Sequence, residues 1–453
     1  MADESEKITK EELIEKAKKP GKDAMKLHPF YRGKVEISPK CVIRDLNDFG
    51  IWYTPGVAEP CRDIAKNPEK VFEHTNKANF VAVISDGTRV LGLGDIGPHA
   101  GLPVMEGKAL LFKYLGGVDA FPIMINTKDP DELIQAVKWI TPTFGGINLE
   151  DISSPKCFYI LDRLRNEVEI PVWHDDQQGT AAITLAGVIN GLKIVGKDMK
   201  DALFSVIGTG AANVCLIRTL IKAGVPARNI IAVDSKGILH PERGDIETLK
   251  EKNPYKYDIA MKTNGEGRQG GIAEAMKDTD VCIAASKPGP GTIKKEWAAG
   301  MNDDAVMIAA ANPVPEIWPW EAKEAGVRIF GTGRSDFPNQ VNNSLGFPGI
   351  FRGTLDVMAK TITDEMHIAA AYAIAEVAER KGLSEEYIVP TMDDWEVFPY
   401  EATAVAMKAI EQGIARKKLS RQEIYENAER VIKKAREQTK HLMKEGFIPP
   451  PPE

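Results

Sequence analysis

Between Leu203 and Phe330 five short runs, LFSVI, NIIAV, VCIAA, VMIAAA and VRIF, are apolar at nearly every position and are separated by helical or loop segments. A strand with one wet face alternates apolar and polar residues, whereas a strand apolar throughout must be covered on both faces. Helices over both sides of a parallel sheet give that cover, so this stretch predicts a doubly wound, Rossmann-type dinucleotide-binding domain of an α/β protein. The first run leads into Gly208-Thr209-Gly210-Ala211-Ala212-Asn213 and then a helical pattern closed by Gly224. Gly208 permits the tight turn, and Gly210 lets a pyrophosphate approach the helix N-terminus. Asn213 stands where a small residue normally allows close helix-sheet packing, so that helix is expected to sit slightly displaced. The second run ends at Asp234, where an acid that holds ribose hydroxyls belongs; a turn residue before Gly237 is the alternative.

Upstream, from FVAVISDG to IPVW, strand-like runs such as AFPIMIN alternate with helical ones such as DPDELIQAVKWI, capped by Asp129 with Pro130 in its first turn. This predicts a separate α/β catalytic domain. The helical TAAITLAGVINGLKIVG bridges to the second unit, and after Phe351 alanine-rich helices take over, expected to fold back on the first domain. A chain of 453 residues exceeds one ordinary core. The expected division is 1–175, 176–345 and 346–453. The opening reads as a short amphipathic helix begun by a Thr9/Glu12 capping box, broken at His28-Pro29, extended at KVEISPK, and suited to pack on a partner subunit. The tail FIPPPPE is expected to be extended.

Two acidic doublets, Glu150-Asp151 and Asp175-Asp176, each end an apolar, strand-like run. Carboxylates crowded at strand ends repel one another and resist desolvation, which a hard divalent cation such as Mg²⁺ or Mn²⁺ relieves. Ordinary helix N-caps are the alternative for either doublet alone.

GLGDIG, from Gly92, spells the dinucleotide fingerprint, but Pro98 and Gly101 follow where a phosphate-binding helix would begin, so it reads as a tight turn after a strand TRVLGL. Lys108 reads as the start of a helix, where the macrodipole disfavours its ammonium form and would suit it to accept a proton; a surface lysine is the alternative. Arg89, between apolar residues of the expected strand, would need an anion if buried, either a substrate carboxylate or a structural Asp. Tyr53, before Thr-Pro and an expected helix start, reads on its own as a core aromatic with its hydroxyl at the rim.

The net charge of -7, with no basic block set off from matching acids, argues against nucleic acid as a partner. The basic runs Lys16 to Lys22 and Arg416 to Arg421 read as solvated helix faces. No apolar run is long enough to span a membrane, and the acidic start does not read as a signal peptide. Five cysteines without CxxC spacing fit a reducing cytoplasm.

Taken together, YTPGVAEPC, SDGTRVLGLGDIGPHAGLPVMEGKALLFK, GGINLEDI, PVWHDDQQGTA, GTGAAN, AAANPVPEI and FPNQVNNSLGFPGIFRG resemble the short, prokaryotic form of the malic enzymes. The resemblance runs from about Lys26 to beyond Arg380. It implies that Glu150, Asp151 and Asp176 bind the metal, that Lys108 is the general base with Asp175 beside it, and that Tyr53 is the general acid. It further implies that Asn312 and Asn343 contact substrate, and Arg89 matches a malate-binding arginine of the longer, animal-type members. The cofactor would lie on residues 208–213, on Asp234, Ser235 and Lys236, and on Ser286 and Asn312. Asn213 departs from the third fingerprint glycine. Asp234 favours NAD, whereas Lys236 could pair with the extra phosphate of NADP.

The implied reaction is metal-dependent oxidation and decarboxylation of (S)-malate to pyruvate and CO₂, with NAD, or NADP, as hydride acceptor. Lys108 would take the alcohol proton and Tyr53 would protonate C3. A homodimer or higher homo-oligomer is the expected assembly. A malolactic-type enzyme that releases lactate, a metal-free amino-acid dehydrogenase of similar order and a non-catalytic nucleotide-binding regulator are the alternatives. Lactate release, EDTA sensitivity and a flat trace with malate discriminate them.

Overall fold

The computed structural model describes residues 10–452. Strand β1 (Phe80–Ser85) is buried from Val81 to Ser85, since Ala82 and Ile84 pack into one apolar cluster and Val81 and Val83 into another. Its neighbours are β2 (Asp119–Met124) and β3 (Gly146–Leu149), and β4 (Val172–His174) completes a sheet of order β2-β1-β3-β4. All three pairings are parallel, and Leu149 pairs with His174. The residues that follow β3 and β4 therefore emerge side by side at one edge.

The five apolar runs form β5 (Phe204–Ile207), β6 (Ile230–Asp234), β8 (Val281–Ala284), β9 (Ala305–Ala309) and β10 (Val327–Thr332), with β7 (Gly237–Ile238) as a short addition. The order is β10-β9-β8-β5-β6-β7, parallel except for β7 against β6. The chain runs from β5 to β6 on one side and returns with β8 on the other. That reversal opens a crevice at the carboxyl ends of β5 and β8, where open α/β sheets bind ligands.

Helix Thr180–Val195, ended by the left-handed Gly196, packs on β9 and β10 and on helix Asp364–Lys381. Helix Phe347–Asp356 lies against Val397–Glu411 and reaches the Lys108 helix, where Phe112 meets Phe347 and Phe351 with ring centroids 4.6 and 5.1 Å apart. The last long helix, Arg421–Lys444, packs on Gly97–Gly116: Ile432 is fully buried, Val431 abuts Gly117, and the Arg436 guanidinium lies 4.7 Å over the Tyr114 ring.

Four local expectations are corrected. TRVLGL forms no strand, only an isolated Val90–Gly94 bridge, because Gly87 and Leu91 take positive φ and turn the chain back. Pro98 does not delay the following helix; it occupies the first turn of Gly97–Gly116, where a missing N–H costs nothing. The first helix, Lys10–Tyr31, runs through His28-Pro29 instead of breaking there; its expected cap, Thr9, lies outside the described residues. Arg416 precedes the last helix, and its guanidinium donates to the carbonyls of Met358 and Glu169. Strand β7 escaped the reading because two residues give no period.

Candidate active site

The register of β3 and β4 sets Glu150-Asp151 beside Asp175-Asp176. Glu150, Asp151 and Asp175 are buried, while the Asp176 side chain keeps about a third of its exposure. Asp175–Gly179 forms a single π-helical turn before helix Thr180–Val195, a distortion common at functional sites. Gly179 is needed there, because a Cβ would collide with Asp175 Oδ1.

Lys108 lies well inside helix Gly97–Gly116, not at its N-terminus, so the macrodipole argument for a depressed lysine is corrected. Its Nζ donates to Asp175 Oδ2 at 2.6 Å, lies 3.0 Å from Glu150 Oε1 and sits 4.4 Å over the Phe347 ring. Burial would lower its pKa, but Asp175 and Glu150 outweigh burial and raise it. Trp173 Nε1 donates to the other Asp175 oxygen at 3.0 Å, and Asn148 Nδ2 donates to Glu150 Oε2 at 2.9 Å. Both supports leave the acids oriented towards the lysine.

Burial, opposed by Lys108 and reinforced by the other acids, holds Glu150 well above the ordinary carboxylate range. Burial first, and then Asp176, pushes Asp151 up to about 7. Asp151 Oδ2 is buried without a hydrogen-bond partner. Three crowded, oxygen-only donors, one with an orphaned atom, fit a hard divalent cation. Their side chains are turned to other partners: Asp176 Oδ2 accepts from the Asp151 N–H at 2.8 Å, and Glu150 faces Lys108. Among the described residues no three acids, histidines or cysteines converge on one point.

Arg89 is exposed in the turn after β1, contrary to the expectation of a strand residue at risk of burial; its N–H donates to the Asp151 carbonyl at 3.0 Å. Tyr53 caps the short helix Phe49–Trp52 and is 71% exposed, not a core aromatic; its hydroxyl has no hydrogen bond among the described residues. Asn343, at the start of a 3₁₀ turn, adjoins Gly179. Asn312 is exposed after β9, and the Gly92 turn comes up to its carbonyl, so loops from the two sheets meet.

In the crevice at the ends of β5 and β8, Gly208 has φ +89° and its N–H donates to Val233 O at 2.9 Å. Apart from its own chain neighbours, nothing lies within 4 Å of where a Cβ would stand on Gly210, at the start of helix Ala211–Lys222, and Thr209 Oγ1 is buried without a partner. An open glycine, helix N–H groups and a spare hydroxyl fit a pyrophosphate. Asn213, in place of the third glycine, donates through Nδ2 to the carbonyls of Ile207 and Gly208 at 3.0 and 2.8 Å, bracing the turn. Ser286 donates from N and Oγ to Glu316 Oε1 at 2.7 and 3.0 Å, and Ala311 N–H donates to Oε2 at 3.2 Å. Glu316, fully buried, thus ties the ends of β8 and β9 together. The sequence reading missed it, although a lone acid in an apolar NPVPEIW was a usable signal. It also missed Arg243, which pairs with Asp234.

Residues 32–165 match the family model described as malic enzyme, N-terminal domain, and residues 177–315 and 301–412 match malic enzyme, NAD binding domain. The chain is 47% identical over 409 residues to a bifunctional malic/malolactic enzyme of Bacillus subtilis, covering 90% of this chain and 98% of that one. It is 50% identical over 385 residues to an NAD-dependent malic enzyme of Geobacillus stearothermophilus, covering 85% and 78%. A crystal structure of an Entamoeba histolytica malic enzyme superposes with a TM-score of 0.95 at 48% identity, covering 98% of this chain and 93% of that one.

Proposed function

The chain belongs to the malic enzyme family and oxidatively decarboxylates malate to pyruvate and CO₂ with reduction of NAD(P), and from that premise we propose how its residues divide the work. The observation that carries the assignment is the buried Lys108 bridging Asp175 and Glu150 at 2.6 and 3.0 Å. Glu150, Asp151 and Asp176 hold the cation, Arg89, Asn312 and Asn343 hold substrate, and residues 208–213, Asp234, Ser235, Lys236, Ser286 and Asn312 line the dinucleotide site.

When bound, the divalent cation polarises the C2 oxygen and NAD(P) supplies the hydride acceptor. Asp175 and Glu150 hold the free Lys108 as its ammonium form, so to act as a base it first passes a proton to Asp175 along their short bond. Burial raises the Asp175 carboxyl, which makes it a better proton acceptor than an exposed aspartate. The neutral amine then takes the proton from the C2 hydroxyl. The Phe347 ring and the buried Trp173 keep bulk water from the pair. Tyr53 delivers the later proton to C3.

Tyr53 belongs to a stretch with many exposed apolar side chains, among them Leu46, Ile51 and Trp52. We infer a homodimer that covers this face and sequesters the tyrosine hydroxyl. The inferred division is 1–175 for malate and metal, 176–345 for the dinucleotide and 346–453 for the supporting helices; the family matches, which change over between 165 and 177, support the first boundary. A reducing cytoplasm is the compartment we infer, supported by five unpaired cysteines. Among the described residues no helix is long and apolar enough to cross a membrane.

The test is the purified chain with malate, Mn²⁺ and either dinucleotide. Pyruvate and reduced cofactor should form in equal amounts, and EDTA should abolish both. A second reading, lactate release with cofactor retained, is favoured by the name of the Bacillus subtilis relative. Lactate formed without net cofactor reduction would establish it.

A further inference from the structure

Asp234 ends β6 beside the glycine turn, since Gly208 N–H donates to Val233 O at 2.9 Å. A carboxylate there ordinarily accepts from both ribose hydroxyls and repels a 2′-phosphate. Here it is already engaged. Arg243 Nη1 donates to Asp234 Oδ1 at 3.0 Å, and Lys256 Nζ lies 3.5 Å from Oδ2. The side chains of Asp234 and Arg243 are only 7% and 6% exposed, so the pair faces inward.

The guanidinium is fixed from its other side as well. Its Nε and Nη2 donate to Asp245 at 2.9 Å each, and Lys236 Nζ meets Asp245 Oδ2 at 2.9 Å. Five charged side chains thus share this corner, three cations (Lys236, Arg243, Lys256) against two acids (Asp234, Asp245). Arg243 bonds both acids, and each acid also meets one of the lysines. Lys236, 63% exposed, and Lys256, 22% exposed, remain accessible to an anion.

We propose that Arg243 sets cofactor choice: by engaging Asp234 it cancels the repulsion that would exclude a 2′-phosphate, so this corner accepts both NADP and NAD. The inference rests on reading residues 208–213 as the dinucleotide turn. Lys236 is then an auxiliary contact, and the specificity-determining residue is one that need not touch the phosphate. Removing Arg243 turns the balance from three against two into two against two and frees Asp234 for a ribose diol.

Isothermal titration of the whole chain with 2′,5′-ADP and with ADP-ribose tests this without turnover. Wild type should bind both, within about tenfold of each other. Arg243→Gln should weaken 2′,5′-ADP by roughly tenfold or more while ADP-ribose stays within about threefold. Asp234→Asn, which leaves three cations against the single acid Asp245, should tighten 2′,5′-ADP and thus gives an independent check if Arg243→Gln does not fold. An unchanged ratio of the two affinities in either folded variant, or a wild type that binds ADP-ribose alone, overturns the proposal. A wild type that binds neither ligand overturns the reading of the glycine turn itself, and the proposal with it.

Discussion

Lys108 and Asp175, 67 positions apart in the chain, are joined by a 2.6 Å hydrogen bond in which neither partner is exposed to bulk water by more than 8% of its side chain. A charged pair so enclosed is held in one geometry, with the carboxylate set at the amine to take its proton. Lys108→Ala should therefore lower kcat for malate oxidation by roughly 10²-fold or more, the usual scale for a lost general base. Binding of ADP-ribose should stay within error of wild type. A loss below tenfold would remove Lys108 from the chemistry.

Asp176→Ala should abolish calorimetric Mn²⁺ binding and malate oxidation while leaving dinucleotide affinity in place. The acid follows β4 in the first sheet, whereas the glycine turn follows β5 in the second. Undiminished Mn²⁺ affinity would sink the ligand assignment.

Tyr53→Phe keeps the ring and removes only the hydroxyl. With hydride transfer intact and protonation at C3 slowed, oxaloacetate or enolpyruvate should accumulate ahead of pyruvate. Quenched-flow product analysis reads the partition directly; a product ratio equal to wild type would argue that the proton comes from elsewhere.

His367 provides a stability prediction apart from catalysis. It is buried in helix Asp364–Lys381, its Nε2 is 3.0 Å from Thr219 Oγ1, and burial lowers its pKa from 6.5 to about 4. The folded imidazole stays neutral where the unfolded one binds a proton, so its contribution is full above about pH 6.5 and is lost as pH falls towards 4. The scale is about 3 kcal/mol at most. Denaturant melts of His367→Gln between pH 4 and 6.5 should have a shallower acid slope than wild type. Parallel slopes would show that another group titrates.

The acidic doublets were legible because strand ends and their acids are local features, and parallel pairing of β3 with β4 brings them together without further information. The Lys108 environment was not, since its helix begins earlier than the glycine pattern suggests and both of its anionic partners come from distant strand ends. Arg89 misled for a related reason: a positive φ at Leu91 ends the apparent strand, and backbone sign cannot be read from side-chain hydropathy. The pairing of Asp234 with Arg243 depends on the two-residue strand β7, too short to register as a period.

The Arg421–Lys444 helix, which packs on the helix that bears Lys108, is also the last of the described helices to be synthesised. Ile432, Val431 and Arg436 leave the ribosome long after the strands and acids they serve, and until they arrive Tyr114 and Gly117 have no cover on that side. All six strands of the second sheet and all four acids precede that helix in the chain. The helix that bears Lys108 therefore gains its backing on that side only after both sheets and the strand-end acids have been made.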